Sequence, residues 1–163
     1  MGLVASAGMT DNMLLKTYKK GKFCFVDRKP ARVLSKELID RLEIKTASTE
    51  QPVRMLSGGN VQKVLLGREI HSQPDLLITA YPVRGLDINS SYMIYSLLNE
   101  QKKKNTAVLF IGESLDVLLE LCDRIMVLCH GKIMGICDAK KLTKEKIGLM
   151  MTGSTMEEVM GDE

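Results

Sequence analysis

Apolar positions along this chain have two textures: helical spacing up to Pro74, and short continuous runs after it. In the first stretch Leu34, Leu38 and Leu42 recur every four residues, so Ala31 to Ile44 reads as an amphipathic helix with one buried stripe. The surrounding segment, from Met1 to about Pro52, is helical and polar-rich. A loop at 19–29 interrupts it, carrying Gly21 and the turn-like Asp27-Arg28-Lys29-Pro30. The first fifty or so residues therefore read as a small helical unit. Met1-Gly2-Leu3-Val4 has no strand pattern behind it, and the chain is expected to begin inside a larger domain.

After Pro74, Leu76-Leu77-Ile78 and Val108-Leu109-Phe110-Ile111 are runs of the kind that fill a parallel sheet buried on both faces. A helix comes after each: Ile94, Leu97 and Leu98 mark the first, and Leu115, Leu118, Leu119 and Cys122 fit helical spacing in the second. Strand, helix, strand, helix implies right-handed parallel crossovers. Ile125 to Cys129 and Lys132 to Cys137 read as a hairpin joined at His130-Gly131, where Gly131 supplies the positive φ of a tight turn. A last short helix, Lys144 to Met151 behind a Thr143 cap, leads into a tail with Glu157, Glu158, Asp162 and Glu163. That tail is expected to fray.

Composition narrows the classes without naming a partner. Hydrophobic types make up 45% of the 163 residues and charged types 26%, the balance of one soluble globular domain and not of a disordered chain. A chain of this length buries roughly 70% of its unfolded surface, so a core needs no disulfide or metal staple. Twenty-three Lys and Arg against twenty Asp and Glu leave a net charge of +3, too balanced to announce a nucleic-acid or membrane surface. Cys24, Cys122, Cys129 and Cys137 show no CxxC spacing and no signal peptide precedes them, so reduced thiols in a cytoplasmic protein are expected. His71 and His130 sit in no metal-ligand pattern, and no metal site is expected. No apolar run approaches the roughly 20 residues of a membrane helix. Lys102 to Lys104 read as a solvated helix end, and the eleven Met residues as adaptable core filler.

The stretch richest in chemistry is Leu56-Ser57-Gly58-Gly59-Asn60-Val61-Gln62-Lys63-Val64, where two glycines open a helix running to about His71. A helix N-terminus offers unpaired N–H groups and a positive dipole end, adjacent glycines let a phosphate approach, and Ser57 adds a hydroxyl donor. Taken alone, Ser-Gly-Gly could equally be a flexible connector.

The order of the later motifs separates these two possibilities. Pro74-Asp75-Leu76-Leu77-Ile78, then Pro82-Val83-Arg84-Gly85-Leu86-Asp87, then Gly112-Glu113-Ser114 form a succession that resembles the ATP-binding cassette (ABC) family of ATPases. Leu56 to Asn60 is similar to the family's signature sequence. Leu76 to Tyr81 resembles its Walker B strand, Gly85-Leu86-Asp87 its D-loop and Gly112-Glu113-Ser114 its switch region. The likeness runs from about Gly2 onward. Asn60-Val61-Gln62-Lys63 and Arg84-Gly85-Leu86-Asp87 look most like the second cassette of two-cassette sugar and nucleoside importers, and Lys146 to Met151 resembles the basic-membrane-protein type among them.

The resemblance implies an α/β fold, the C-terminal part of a P-loop NTPase domain with parallel strands and a terminal β-hairpin. It implies a helical subdomain over 1–53, the signature helix and ATPase part over 54–153, and an acidic tail over 154–163. Departures from the family pattern are as informative. No Gly-rich phosphate cradle ending in Gly-Lys-Ser or Gly-Lys-Thr occurs in the sequence, so the chain looks like a C-terminal fragment. Ala80 stands where the family places its magnesium-linked Asp, Tyr81 where it places the catalytic Glu, and Glu113 where it places the switch His. No catalytic position is intact, and this fragment alone is expected to be inactive, with neither ATP nor Mg2+ bound to it.

Two cassettes of this family pack head to tail, each ATP being held by the cradle of one and the signature of the other. The resemblance thus implies that Leu56, Ser57, Gly58, Gly59 and Asn60 complete the ATP site of the N-terminal cassette of the same polypeptide, which holds the Mg2+. Gly85, Leu86 and Asp87 would help to join the halves, although Asp87 equally suits a cap for the helix beginning near Ile88. Membrane permease subunits would be the direct partners, a solute-binding protein an indirect one, and the cytoplasmic face of the membrane the place, with no nucleic acid involved. The alternatives are an ABC-type ATPase of DNA repair or translation, which the balanced charge disfavours, and a regulatory domain without nucleotide chemistry.

Overall fold

A computed structural model describes residues 2–18 and 26–161, so Gly21, Cys24 and most of the expected 19–29 loop lie outside the described residues. Contacts divide the chain into two compact units, Met1–Leu109 and Phe110–Glu163. The first unit takes in residues on both sides of Val53.

The first unit holds α1 (Met9–Thr17), α2 (Lys29–Arg41), α3 (Gly58–His71), β1 (Leu76–Ala80) and α4 (Ile88–Lys103), and most of β2 (Ala107–Ile111). Helix α2 starts two residues before its expected Ala31, because Pro30 is tolerated in a first turn, and it buries Leu34 and Leu38 as the spacing predicts. It stops at Arg41, where Glu43 turns to a φ of 50°, yet Leu42 and Ile44 stay in the core. Its Arg41 pairs with Glu100 of α4. Residues 2–8 are not helical. They are tied to α1 by the wholly buried Asn12, whose Oδ1 accepts from the Val4 N–H at 2.8 Å and whose Nδ2 donates to the Gly8 carbonyl at 3.0 Å. Arg68 of α3 fastens the same segment by donating to the Gly2 carbonyl at 2.7 Å.

A second clamp joins α1, α2 and the loop after them. Glu50 Oε1 accepts from the buried Thr10 hydroxyl at 2.9 Å, and Oε2 meets Arg28 at 3.2 Å. The Thr10 hydrogen bond, helped by Arg28 and Arg32 and opposed by slight burial, holds the Glu50 carboxyl below its ordinary value. A depressed folded pKa contributes stability that is present above the unfolded value and lost as pH falls through the folded one. Glu50→Gln is therefore expected to lower the Tm at pH 7, and the gap to the parent chain should close below about pH 4. Melting curves between pH 3 and 7 that stay equally far apart would contradict this.

Helix α3 lies against α2 at Gly67, where a Cβ would stand 2.9 Å from Leu38 Cδ2 and 3.1 Å from Leu42 Cδ1. The α3 chain then passes through Gln73 in the left-handed region into β1, and β1 pairs with β2 in a two-stranded parallel sheet with α4 as the crossover. The Ala107 N–H donates to the Asp75 carbonyl at 2.9 Å as the strands meet.

Burial on these strands corrects the sequence expectation of a sheet covered on both faces. Leu77 and Thr79 are buried, while Leu76 and Ile78 are 53% and 59% exposed, and Leu109 and Ile111 on β2 are exposed too. A continuous apolar run supplies both faces with apolar groups, but the described residues cover only one face of β1. An open apolar face next to unpaired strand edges favours pairing with another copy. The chain is expected to sediment with concentration-dependent association, and Ile78→Lys to weaken that association by about tenfold, the scale of one apolar side chain left in water. A parent chain that stays monomeric at every concentration would defeat this expectation.

The second unit contains α5 (Leu115–Leu121), β3 (Arg124–Cys129), β4 (Lys132–Asp138), α6 (Lys144–Met151) and α7 (Met156–Met160). β3 and β4 form the expected antiparallel hairpin, with Cys129 opposite Lys132, Ile125 opposite Cys137, and a register shift at Val127/Leu128. Its turn needs positive φ twice, 47° at His130 and 76° at Gly131, the pattern that matches the twist of a two-residue hairpin. Ile125, Val127 and Cys137 pack into a core with Ile147, Met150 and Val159, flanked by Leu115 and Leu118 of α5.

The tail expected to fray is instead helical over Met156–Met160. The Thr155 N–H donates to Glu158 Oε2 at 2.7 Å, and the Glu158 N–H donates back to the Thr155 hydroxyl at 3.4 Å. This box places Glu157 and Glu158 in the first turn, where the helix dipole favours anions, and Val159 enters the core. Gly135 leaves room for the helix, since a Cβ there would stand 2.7 Å from Met156 Cβ. Asp162 and Glu163 lie outside the described residues.

Candidate functional site

The signature stretch is positioned by a seam between the segments before α1 and before α3. Gly8 and Pro52 form an antiparallel bridge, the Val53 N–H donates to the Ala7 carbonyl at 3.0 Å, and the Arg54 N–H donates to the Ala5 carbonyl at 2.9 Å. A single 3-10 turn, Val53–Met55, then delivers Leu56 in extended conformation, and Ser57 begins the helix as its N-cap with φ −63° and ψ 157°. Ser57 and Gly58 are exposed, Leu56 and Gly59 half-buried, and Asn60 is buried. A Cβ on Gly58 would meet nothing within 4 Å, so there is open space beside the first turn of α3. The helix thus begins at Gly58, with its first residues at the surface.

The D-loop residues reach the same helix start. β1 ends at Ala80, Tyr81 turns left-handed at φ 49°, and Gly85 does so at φ 76° to complete the turn. Asp87 caps α4: its Oδ1 accepts the Ser90 N–H at 2.9 Å and its Oδ2 accepts the Ser90 hydroxyl at 2.7 Å. These two Ser90 bonds hold the fully exposed Asp87 carboxyl below its ordinary value, so it is an anion throughout the neutral range. A Cβ on Gly59 would stand 3.3 Å from Ser90 Oγ and 3.8 Å from Leu86 Cδ2. The signature stretch at Gly59 thus lies close beside Leu86 of the D-loop and Ser90 of α4. Met55, Ile88 and Tyr92 leave apolar surface exposed on the same two segments.

The altered positions are open to solvent. Ala80 and Tyr81 are exposed at the end of β1, and Glu113 is exposed in the second unit. Ala80 offers no side-chain ligand to a magnesium ion, and Tyr81 has no carboxylate with which to orient water. The residues present do not fit Mg2+ at these positions, and no hydrolytic step can be derived through them.

Two features escape sequence reading: Ser90, which donates to the Asp87 cap and lies beside Gly59, and the tie between Asn60 and the loop residue Lys45. A serine three residues after an Asp cap is a local signal that could have been read. The tie spans fifteen residues and leaves none.

No family model matches the chain, but individual proteins do. Over 160 residues it is 36% identical to the nucleoside import ATP-binding protein NupA of Lactococcus lactis, a match that covers 96% of this chain and 32% of that protein. It is 35% identical to the guanosine import ATP-binding protein NupO of Bacillus subtilis, again over 96% of this chain, and 35% identical over 93% to the xylose import ATP-binding protein XylG of Moorella thermoacetica. Among solved structures, a chain of a metal-chelate type ABC transporter in an inward-facing conformation superposes with a TM-score of 0.72 at 17% identity, covering 90% of this chain and 58% of that one. A dimeric bacterial ABC transporter cassette gives a TM-score of 0.71 at 19% identity, covering 86% of this chain and 60% of that one. The chain has the ATP-binding cassette fold. Its homologues are sugar and nucleoside import ATP-binding proteins of ABC importers, as the motif order implies. The chain spans about a third of the length of the curated relatives it matches.

Proposed function

We propose that this part of an ABC cassette works as a donor: it lends its signature to ATP held by a partner cassette and performs no hydrolysis of its own. The observation that carries the reading is a contrast within the first unit. The signature helix start has open space beside it, is capped by Ser57 and lies beside the D-loop, while the positions that should hold metal and water are Ala80 and Tyr81. Donors preorganised toward a developing phosphate charge accelerate transfer without carrying the metal themselves, in the way an arginine finger supplied in trans does. Ser57 and the N–H groups of Gly58 and Gly59 are assigned to the terminal phosphate of the partner's ATP. Asp87, Leu86 and Gly85 are assigned to the seam between the two cassettes.

In the importer this reading describes, the partner is the N-terminal cassette, Mg2+ stays with that partner, and the cargo is a sugar or nucleoside. The helical segment over 1–53 is assigned to contact with membrane permeases. No helix among the described residues is long and apolar enough to cross a membrane, so attachment to it is assigned to those permeases.

The test is an ATPase titration. The chain alone with Mg-ATP is expected to be silent, and its addition to a cassette that carries a complete phosphate cradle should raise that cassette's rate. Hydrolysis by the chain alone, or no effect on the partner, would overturn the reading.

A further inference from the structure

From the hydrogen bonds around the signature we infer that Asn60 is a positioning residue that fixes the Ser57 hydroxyl as a donor toward phosphate, a role that rests on the proposed donor function. Asn60 is 8% exposed, and its side-chain amide is held from both ends. Its Oδ1 accepts the Lys45 N–H at 3.2 Å, and its Nδ2 donates to Ser57 Oγ at 2.9 Å and to the Lys45 carbonyl at 3.5 Å. The Lys45 N–H requires an acceptor at Oδ1, so the amide cannot be turned end for end without losing that bond.

The consequence falls on Ser57. A serine hydroxyl has two acceptor lone pairs and one O–H. One lone pair takes the Asn60 side chain, and the other takes the Asn60 backbone N–H at 3.5 Å in the helix cap. With both lone pairs engaged, the single remaining capacity is the O–H donor, and it belongs to an exposed residue beside the open backbone of Gly58. A group confined to donating is selective for an acceptor such as a phosphate oxygen. Lys45 belongs to the loop that comes after α2, so the packing of α2 and its loop sets the direction of the hydroxyl through one amide.

The experiment measures how this chain stimulates a cradle-bearing cassette, read as kcat and KM for Mg-ATP. Asn60→Asp keeps an acceptor for Lys45 but replaces the donor with a carboxylate oxygen, which captures the Ser57 proton. The stimulated kcat should fall about 100-fold, the scale of a lost charge-stabilising donor, with KM changed less than about threefold. Asn60→Ala leaves the backbone cap in place and frees the hydroxyl to rotate, so a loss of roughly tenfold in kcat is expected, and Asn60→Gln should recover part of it. Ser57→Ala should match Asn60→Asp, and combining the two substitutions should cost little more than either. Circular dichroism melts show whether each variant is folded; a folded Asn60→Asp that stimulates like the parent chain, while Ser57→Ala does not, overturns the positioning role and leaves the donor reading standing. A parent chain that fails to stimulate overturns both.

Discussion

Ser57→Arg is expected to abolish stimulation of a partner cassette, returning its ATPase rate to the unassisted level while the chain stays folded. Three effects act together. The hydroxyl that caps α3, and that the donor role assigns to phosphate, is lost. A long side chain enters the space that is open around Gly58, where the phosphate has to approach. The amide of Asn60 loses the acceptor it contacts at 2.9 Å. Losing one preorganised donor costs about 100-fold in rate, and blocking the approach removes what the remaining N–H groups supply. The cost to stability is much smaller, about 1 kcal/mol for an N-cap, or a Tm lowered by roughly 2–4 °C in a chain of this size. Loss of rate far beyond loss of fold is therefore the mark of the donor role. Retained stimulation in a folded Ser57→Arg chain would show that Leu56 to Asn60 does not reach the partner's ATP.

Gly8→Val should have the largest effect on stability, although it lies far in sequence from the signature. A Cβ at Gly8 would stand 2.8 Å from the Cα, carbonyl carbon and carbonyl oxygen of Glu50. These are backbone atoms, which cannot swing aside as the end of a side chain can. The seam between Gly8 and Pro52 must open, and with it the bonds from Val53 to Ala7 and from Arg54 to Ala5. Overpacking of this kind costs about 2–3 kcal/mol, so a Tm lowered by roughly 5–10 °C is expected, with a smaller drop for Gly8→Ala. Because the same seam delivers Leu56 and Ser57, stimulation of a partner should weaken as well. A Gly8→Val chain that melts with the parent would show that the seam yields without cost.

Neighbouring residues carry most of what was legible before the fold was known. The caps at Asp87 and Thr143 depend on a side chain and an N–H three residues away, so their spacing predicts them. The strands at Leu76 and Val108 and the hairpin at His130-Gly131 arise from short apolar runs and a turn residue, for the same local reason. The tail is the local failure: Thr155 and Glu158 carry a capping box that sequence alone shows, but its helix is held by Gly135 and the core around Val159, which sequence does not.

The order of motifs by itself determined the cassette family, because that is a matter of residue type in a known succession; the reading of Ala80, Tyr81 and Glu113 as lost catalytic positions belongs to the proposed donor role. Burial was decided only in three dimensions. An apolar run cannot say which of its faces finds a partner, and so Leu76 and Ile78 are open where both faces were expected to be covered. The site's fine geometry was likewise decided by tertiary contact. Asn60 meets Lys45, Gly59 meets Ser90, and Gly8 meets Glu50 across fifteen to forty-two residues of chain, distances over which sequence pattern holds no record of who touches whom.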